Sequence, residues 1–284
     1  MVLVMGKGGV GRTTLAAGLA VREAQTCGAA VLVEFGDGAS GRRALGTSHR
    51  QVEHVVIRPD EALRRAATPL FRSATLARLA LNNFAMRPLV RAAPAVRELA
   101  MLESVRQVCA ERPGVRVVVD MPATGHSVAW LRAPRQGIEY LGSGPLYDFC
   151  HRLVRELVAP GRASIWVVTL PERLVLEETL ELCRAIVSET GFEVDRLVVN
   201  RVPVALSHAA LDDARALAAR PGPLAEAAAA LASVLSARES ACEEALSALS
   251  AIPSGCFAIG RIPLGQVDPT AVDVARWLGA DVAG

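Results

Sequence analysis

Aromatic residues are scarce, at 4% of the 284-residue chain, and no excess of charge of either sign stands out. A core must therefore come from the aliphatic part of the 51% hydrophobic content, chiefly Ala, Val and Leu. Lys and Arg number 31 against 29 Asp and Glu, a net charge of +2, so the strong basic excess of a nucleic-acid binder is missing. No nucleic-acid partner is expected. The six cysteines, Cys27, Cys109, Cys150, Cys183, Cys242 and Cys256, are widely spaced and include no C-x-x-C pair. That weighs against a zinc site or a disulfide framework and favours buried thiols in a reducing compartment. No apolar run reaches the ~18 residues that suggest a spanning helix. The opening Met-Val-Leu-Val-Met-Gly-Lys lacks a basic leader with a cleavage site. A cytoplasmic protein is the expectation.

What the chain does contain is an alternation of short aliphatic runs and helical stretches. Val2–Met5, Ala30–Phe35, Val115–Asp120, Ser164–Leu170, Arg196–Asn200 and Cys256–Arg261 read as strands, with Val55–Ile57 as a shorter one. Near-continuous aliphatic runs suit strands covered on both faces of a parallel sheet. Thr13–Thr26 reads as a helix. The pattern predicts an α/β fold, doubly wound around a mostly parallel sheet. Two stretches, approximately 60–112 with Pro69, Pro88 and Pro94, and 132–158, depart from the alternation and read as a helical insertion within a single domain. Leu206–Ile252 is Ala-rich, with high helix propensity; broken at Pro221-Gly222-Pro223, it reads as one or two helices packed on the sheet.

The chemistry begins after the first strand, at Gly6-Lys7-Gly8-Gly9-Val10-Gly11-Arg12-Thr13-Thr14. Glycines let successive backbone N–H groups turn toward phosphates, and the following helix adds its positive end. The general pattern G-x-x-x-x-G-K-[ST] is met except that Arg12 replaces Lys. Lys is a compact charge and Arg a planar fork, so Arg12 still binds phosphate but fits a loop shaped for Lys less well. Thr13 occupies the Mg²⁺-ligating hydroxyl position. Lys7 at the head of Lys-Gly-Gly-Val-Gly looks like the signature lysine of the deviant Walker A motif. That resemblance implies a dimer in which Lys7 reaches the partner subunit's nucleotide.

Two further segments carry a closer resemblance. Val117-Val118-Val119-Asp120 ends a strand in a carboxylate and runs on through Thr124-Gly125-His126, Leu131 and Pro134. It resembles the switch II region of the arsenical pump-driving ATPases and the tail-anchored-protein targeting ATPases. Asp37-Gly38-Ala39-Ser40 resembles that family's switch I, with Gly38 where the family has Pro. Arg58-Pro59 and the segment around Ala95 and Glu98 match its downstream elements, with Arg58 for Asp and Ala95 for Gly. The resemblance implies ATP and Mg²⁺ as cofactors and a signature-lysine P-loop domain over 1–284. It implies that Gly8, Gly9, Val10, Gly11, Arg12, Thr13 and Thr14 cradle the phosphates, with Lys7 and Arg12 neutralising their charge. Thr13, Asp37 and Asp120 serve the metal, and Asp37 orients the attacking water. Read locally, Asp37 is more readily an Asx-turn residue of an Asp-Gly loop. Asn200, at a strand end, offers one donor and one acceptor to an adenine edge or caps its own turn. Pro263 falls where the family closes over the base. His126 reads as a structural histidine, because phosphoryl transfer here needs no His base.

Two functions follow. One is an ATP-hydrolysing homodimer or heterodimer that acts on a hydrophobic client or membrane protein, with the apolar residues of 70–90 contributing a groove or packing on themselves. The other is a nucleotide-holding subunit paired with an active paralogue, toward which Arg12, Gly38, Arg58 and Ala95 lean.

Overall fold

The computed structural model describes residues 1–70, 94–159, 161–203, 208–220, 222–251, 258–265 and 268–280. The apolar stretch 71–93 lies outside them, as does Cys256.

Seven strands form one sheet, ordered β3-β2-β4-β1-β5-β6-β7, in which every pairing is parallel. They are β1 (Val2–Gly6), β2 (Ala30–Phe35), β3 (Val52–Ile57), β4 (Arg116–Asp120), β5 (Ser164–Thr169), β6 (Arg196–Val202) and β7 (Ala258–Pro263). The aliphatic runs are continuous because successive side chains enter two different cores. Leu3, Met5, Val31, Val33, Val117, Val119, Ile165, Val167, Leu197 and Val199 face one cluster. Val4, Leu32, Val118, Val168 and Val198 face the other. Sheets covered on both faces show this pattern.

The second face is covered by α1 (Arg12–Cys27), through Leu15 and Leu19, and by the last helix, Ala271–Ala280, through Val274 and Leu278. The first face carries helices Pro94–Glu111, Thr124–Leu141, Pro145–Leu153 and Arg173–Thr190, which share its core through Leu102, Leu131, Leu153 and Ile186. A seven-residue helix, α2 (Ala39–Leu45), follows β2. The strand ends at Gly6, Phe35, Asp120 and Thr169, with Asn200 two residues before the end of β6, lie at the carboxyl side of the sheet, where ligands of open parallel sheets bind.

One expectation is corrected. The Ala-rich region forms two helices, His208–Ala218 and Pro223–Ser247. The longer one packs chiefly on its neighbour rather than on the sheet, and leaves Leu224, Leu231 and Val234 exposed. Ala content fixed its helicity without fixing a buried face.

Among the described cysteines, Cys150, Cys183 and Cys242 are buried, Cys109 is half-buried and Cys27 is exposed. Burial pushes the Cys183 thiol up to about 12 and raises Cys150 and Cys109 as well. A thiol reagent at pH 8 is therefore expected to label Cys27 rapidly, and Cys150 and Cys183 only on unfolding. The folded thiol of Cys183 holds its proton more tightly than the ordinary value of 9.0, so its contribution to stability is full below pH 9 and is lost as pH rises toward 12. Mass spectrometry of labelled peptides and alkaline melting curves check both.

Candidate nucleotide site

The loop between β1 and α1 turns sharply into the helix at Gly11, whose φ of 91° is left-handed. A side chain there is disfavoured by the backbone and has no room: an added Cβ would stand 2.2 Å from Asn200 Nδ2. Gly11's carbonyl accepts the first helical bond, from Leu15 N–H at 3.0 Å. The first turn of α1 contains no acidic residue. Its unpaired N–H groups and positive dipole end are thus open to an anion.

Arg12 and Thr13 converge on one carboxylate. Arg12 Nε donates to Asp120 Oδ1 at 2.6 Å, and Thr13 Oγ1 donates to Asp120 Oδ2 at 2.6 Å. The Asp120 side chain is 5% exposed and that of Arg12 17%. Arg12 also donates from Nη1 to the Gly6 carbonyl at 3.2 Å, tying both ends of the loop together. Lys7 lies on the outer side, its Nζ 2.5 Å from Glu178 of helix Arg173–Thr190. Gly8 and Gly9 are exposed and Val10 is buried.

Asn200 closes the loop from β6. Its Nδ2 donates to the Val10 carbonyl at 2.8 Å, and its Oδ1 accepts from Arg201 N–H at 2.9 Å. Both its groups thus hold backbone, which is the turn-capping arrangement, extended here to the phosphate loop. Arg201 has φ 58°, the one non-glycine residue in the left-handed region among the described residues. Such strain gathers where surrounding structure holds it in place.

These elements bound a cavity of about 680 Å³, within the range of small-molecule sites. Gly11, Thr13, Thr14, Asn200 and Pro263, all named from the sequence, line it. Ser40 and Arg43 of α2, Arg201 and Asp268 line it as well and were not named as site residues. Arg201 and Asp268 lie in segments without a motif, and only the folded chain brings them to the loop. Asp37 lies elsewhere, in a second depression with Arg58, Asp60 and Arg64. Its Oδ1 accepts from Ala39 N–H at 2.9 Å, so in this structure it caps α2. For Thr124, Gly125 and His126 only the backbone is described, at the start of helix Thr124–Leu141.

Residues 1–144, just over half of the chain, match the anion-transporting ATPase family. The chain belongs to that family. No curated protein matches it. Membership in the anion-transporting ATPases agrees with the all-parallel sheet and the phosphate loop after its first strand, the arrangement of P-loop NTPases. The matched region holds the loop, α2 and Asp120, whereas Asn200, Pro263 and Glu178 lie beyond it. Among the described residues, no helix is long and apolar enough to cross a membrane.

Proposed function

We propose that this chain binds ATP in the cavity at the end of β1 and hydrolyses it with Mg²⁺. It works in a dimer, with itself or a related ATPase, and uses the nucleotide state to act on a hydrophobic client or membrane partner. The observation that carries this reading is the junction of the glycine loop, Thr13 and Asp120 with a cavity of nucleotide size.

The residues fit a magnesium ion. Thr13 spends its proton on Asp120 and keeps lone pairs on its oxygen, and Asp120 adds hard carboxylate oxygens beside it; Asp37 would join them only on leaving Ala39. Among the described residues no group of three or more His, Cys, Asp or Glu could cage a metal alone. An ion at Thr13 and Asp120 would be held by one or two protein oxygens and the nucleotide's own phosphates. When bound, the ion neutralises charge that builds on the phosphate oxygens. Arg12 and Lys7 supply further positive charge, once phosphate competes with Asp120 and Glu178 for them. Released from Ala39, Asp37 orients the attacking water, and Lys7 serves the neighbouring subunit's phosphates.

One observation favours the second reading, a nucleotide-holding subunit: Arg12 is already committed to Asp120 and the Gly6 carbonyl. Hydrolysis and binding measured on the wild type, Asp37→Asn and Arg12→Lys separate the two. We expect Asp37→Asn to lower kcat by about 100-fold or more, as loss of a carboxylate that orients the attacking water and can take its proton does, with affinity within a few-fold of wild type. Tight binding without turnover in the wild type, with turnover gained in Arg12→Lys, would establish the holding subunit instead.

A further inference from the structure

We infer that Glu34 is a positioning residue for the nucleotide cavity, holding α2 in place so that Asp37 is free to leave it. The inference rests on the reading of the cavity given above. Glu34 sits at the end of β2, in register with Val56 of β3 and Asp120 of β4. A strand covered on both faces rarely carries a carboxylate, yet Glu34 is only 6% exposed. Its Oε2 accepts from the Gly41 N–H at 2.9 Å and lies 3.0 Å from His54 Nε2 on β3.

Gly41 belongs to α2, which supplies Ser40, Arg43, Ala44 and Leu45 to the cavity wall. A helix of seven residues is too short to hold its own shape or place, so its anchors decide where the wall stands. Its first N–H groups have no intrahelical acceptors. Two carboxylates take them: Asp37 at Ala39 and Glu34 at Gly41. The two caps differ in kind. Asp37 is exposed and two residues beyond the strand, whereas Glu34 is buried and fixed by His54. When Asp37 turns to the nucleotide it gives up Ala39, and Glu34 alone retains the helix.

The fit around Glu34 is close. An added Cβ at Gly41 would stand 2.4 Å from Glu34 Oε2 and 2.8 Å from His54 Nε2. Gly38, with φ 76°, adopts a turn closed to the proline that switch I carries in the resembling family.

The test compares wild type, Glu34→Gln, Glu34→Leu and Gly41→Ala. Three readouts are taken on the same samples: affinity for a fluorescent ATP analogue with Mg²⁺, amide hydrogen exchange of residues 38–45, and melting temperature. Gln keeps an oxygen acceptor for Gly41 and should bind within about threefold of wild type. Leu fills the space but accepts nothing. Removing one partner of a buried pair and leaving the Gly41 N–H without its acceptor destabilises the fold, so its melting temperature should fall, and the anchor is read from exchange at 38–45, which should rise tenfold or more beyond that of the central strands while affinity falls tenfold. Gly41→Ala, which pushes α2 off the same carboxylate, should lose affinity in parallel. Wild-type affinity and exchange in Glu34→Leu would overturn the inference. If wild type itself binds no nucleotide, the reading of the cavity fails and the exchange arm judges the anchor: equal exchange in wild type and Glu34→Leu overturns it.

Discussion

Asp120→Ala is expected to lower the melting temperature by about 6–9 °C and to abolish detectable nucleotide binding. The carboxylate is 5% exposed and neutralises Arg12, itself 17% exposed. Removing one partner of a buried ion pair leaves the other charge uncompensated, at a cost of roughly 3–5 kcal/mol. Arg12 retains some solvent, so the low end, about 3 kcal/mol, applies here, and each kcal/mol is worth about 2–3 °C in a chain of this size. Thr13 also loses the acceptor of its hydroxyl. With neither side chain held, the loop has no preferred form to offer a phosphate. Circular-dichroism melting and a nucleotide titration measure the two effects. Asp120→Asn, which keeps an oxygen for Arg12 Nε, should fall between wild type and the alanine variant. A melting temperature unchanged in Asp120→Ala would show that the pair contributes nothing and that Arg12 is free in solution.

Gly11→Ala is expected to weaken nucleotide binding by about 100-fold. An L-residue in the left-handed region costs about 1–2 kcal/mol. The added Cβ would also collide with Asn200 Nδ2 at 2.2 Å, so Asn200 must leave the Val10 carbonyl. Losing that hydrogen bond adds about 1 kcal/mol. The binding form of the loop then lies about 3 kcal/mol higher, and each 1.4 kcal/mol is tenfold in affinity. Folding should be less affected than binding, because the loop can relax when no ligand fixes it. Affinity within about threefold of wild type would mean that the loop does not take this turn when it binds.

The sheet was legible because strands buried on both faces need aliphatic side chains along most of their length, and β1, β2 and β4 have them, with charged residues only toward their ends. The edge strand β3 was only half visible: Glu53 and His54 interrupt the run at Val52–Ile57. His54 is there for a tertiary reason, its contact with Glu34, that no local pattern announces. The helix Pro223–Ser247 shows the converse limit. Composition establishes a helix, but only the fold decides that Leu224 and Leu231 face outward.

The phosphate loop was legible residue by residue, since its geometry is local. The pairing of Arg12 with Asp120 was not, because it spans 108 positions and depends on β4 lying beside β1. Glu178 beside Lys7, and Arg201 in its left-handed turn, were invisible for the same reason. Asp37 and Asn200 were each open to two readings in the sequence. In this structure both engage backbone, Asp37 at Ala39 and Asn200 at Val10 and Arg201.

The central claim is that the cavity at the end of β1 is a nucleotide site, and titration of the purified chain with a fluorescent ATP analogue and Mg²⁺ tests it most directly. Saturable binding is expected, one nucleotide per chain, displaced by unlabelled ATP and weakened about 100-fold in Gly11→Ala. Absence of saturable binding to a folded wild-type protein would contradict it.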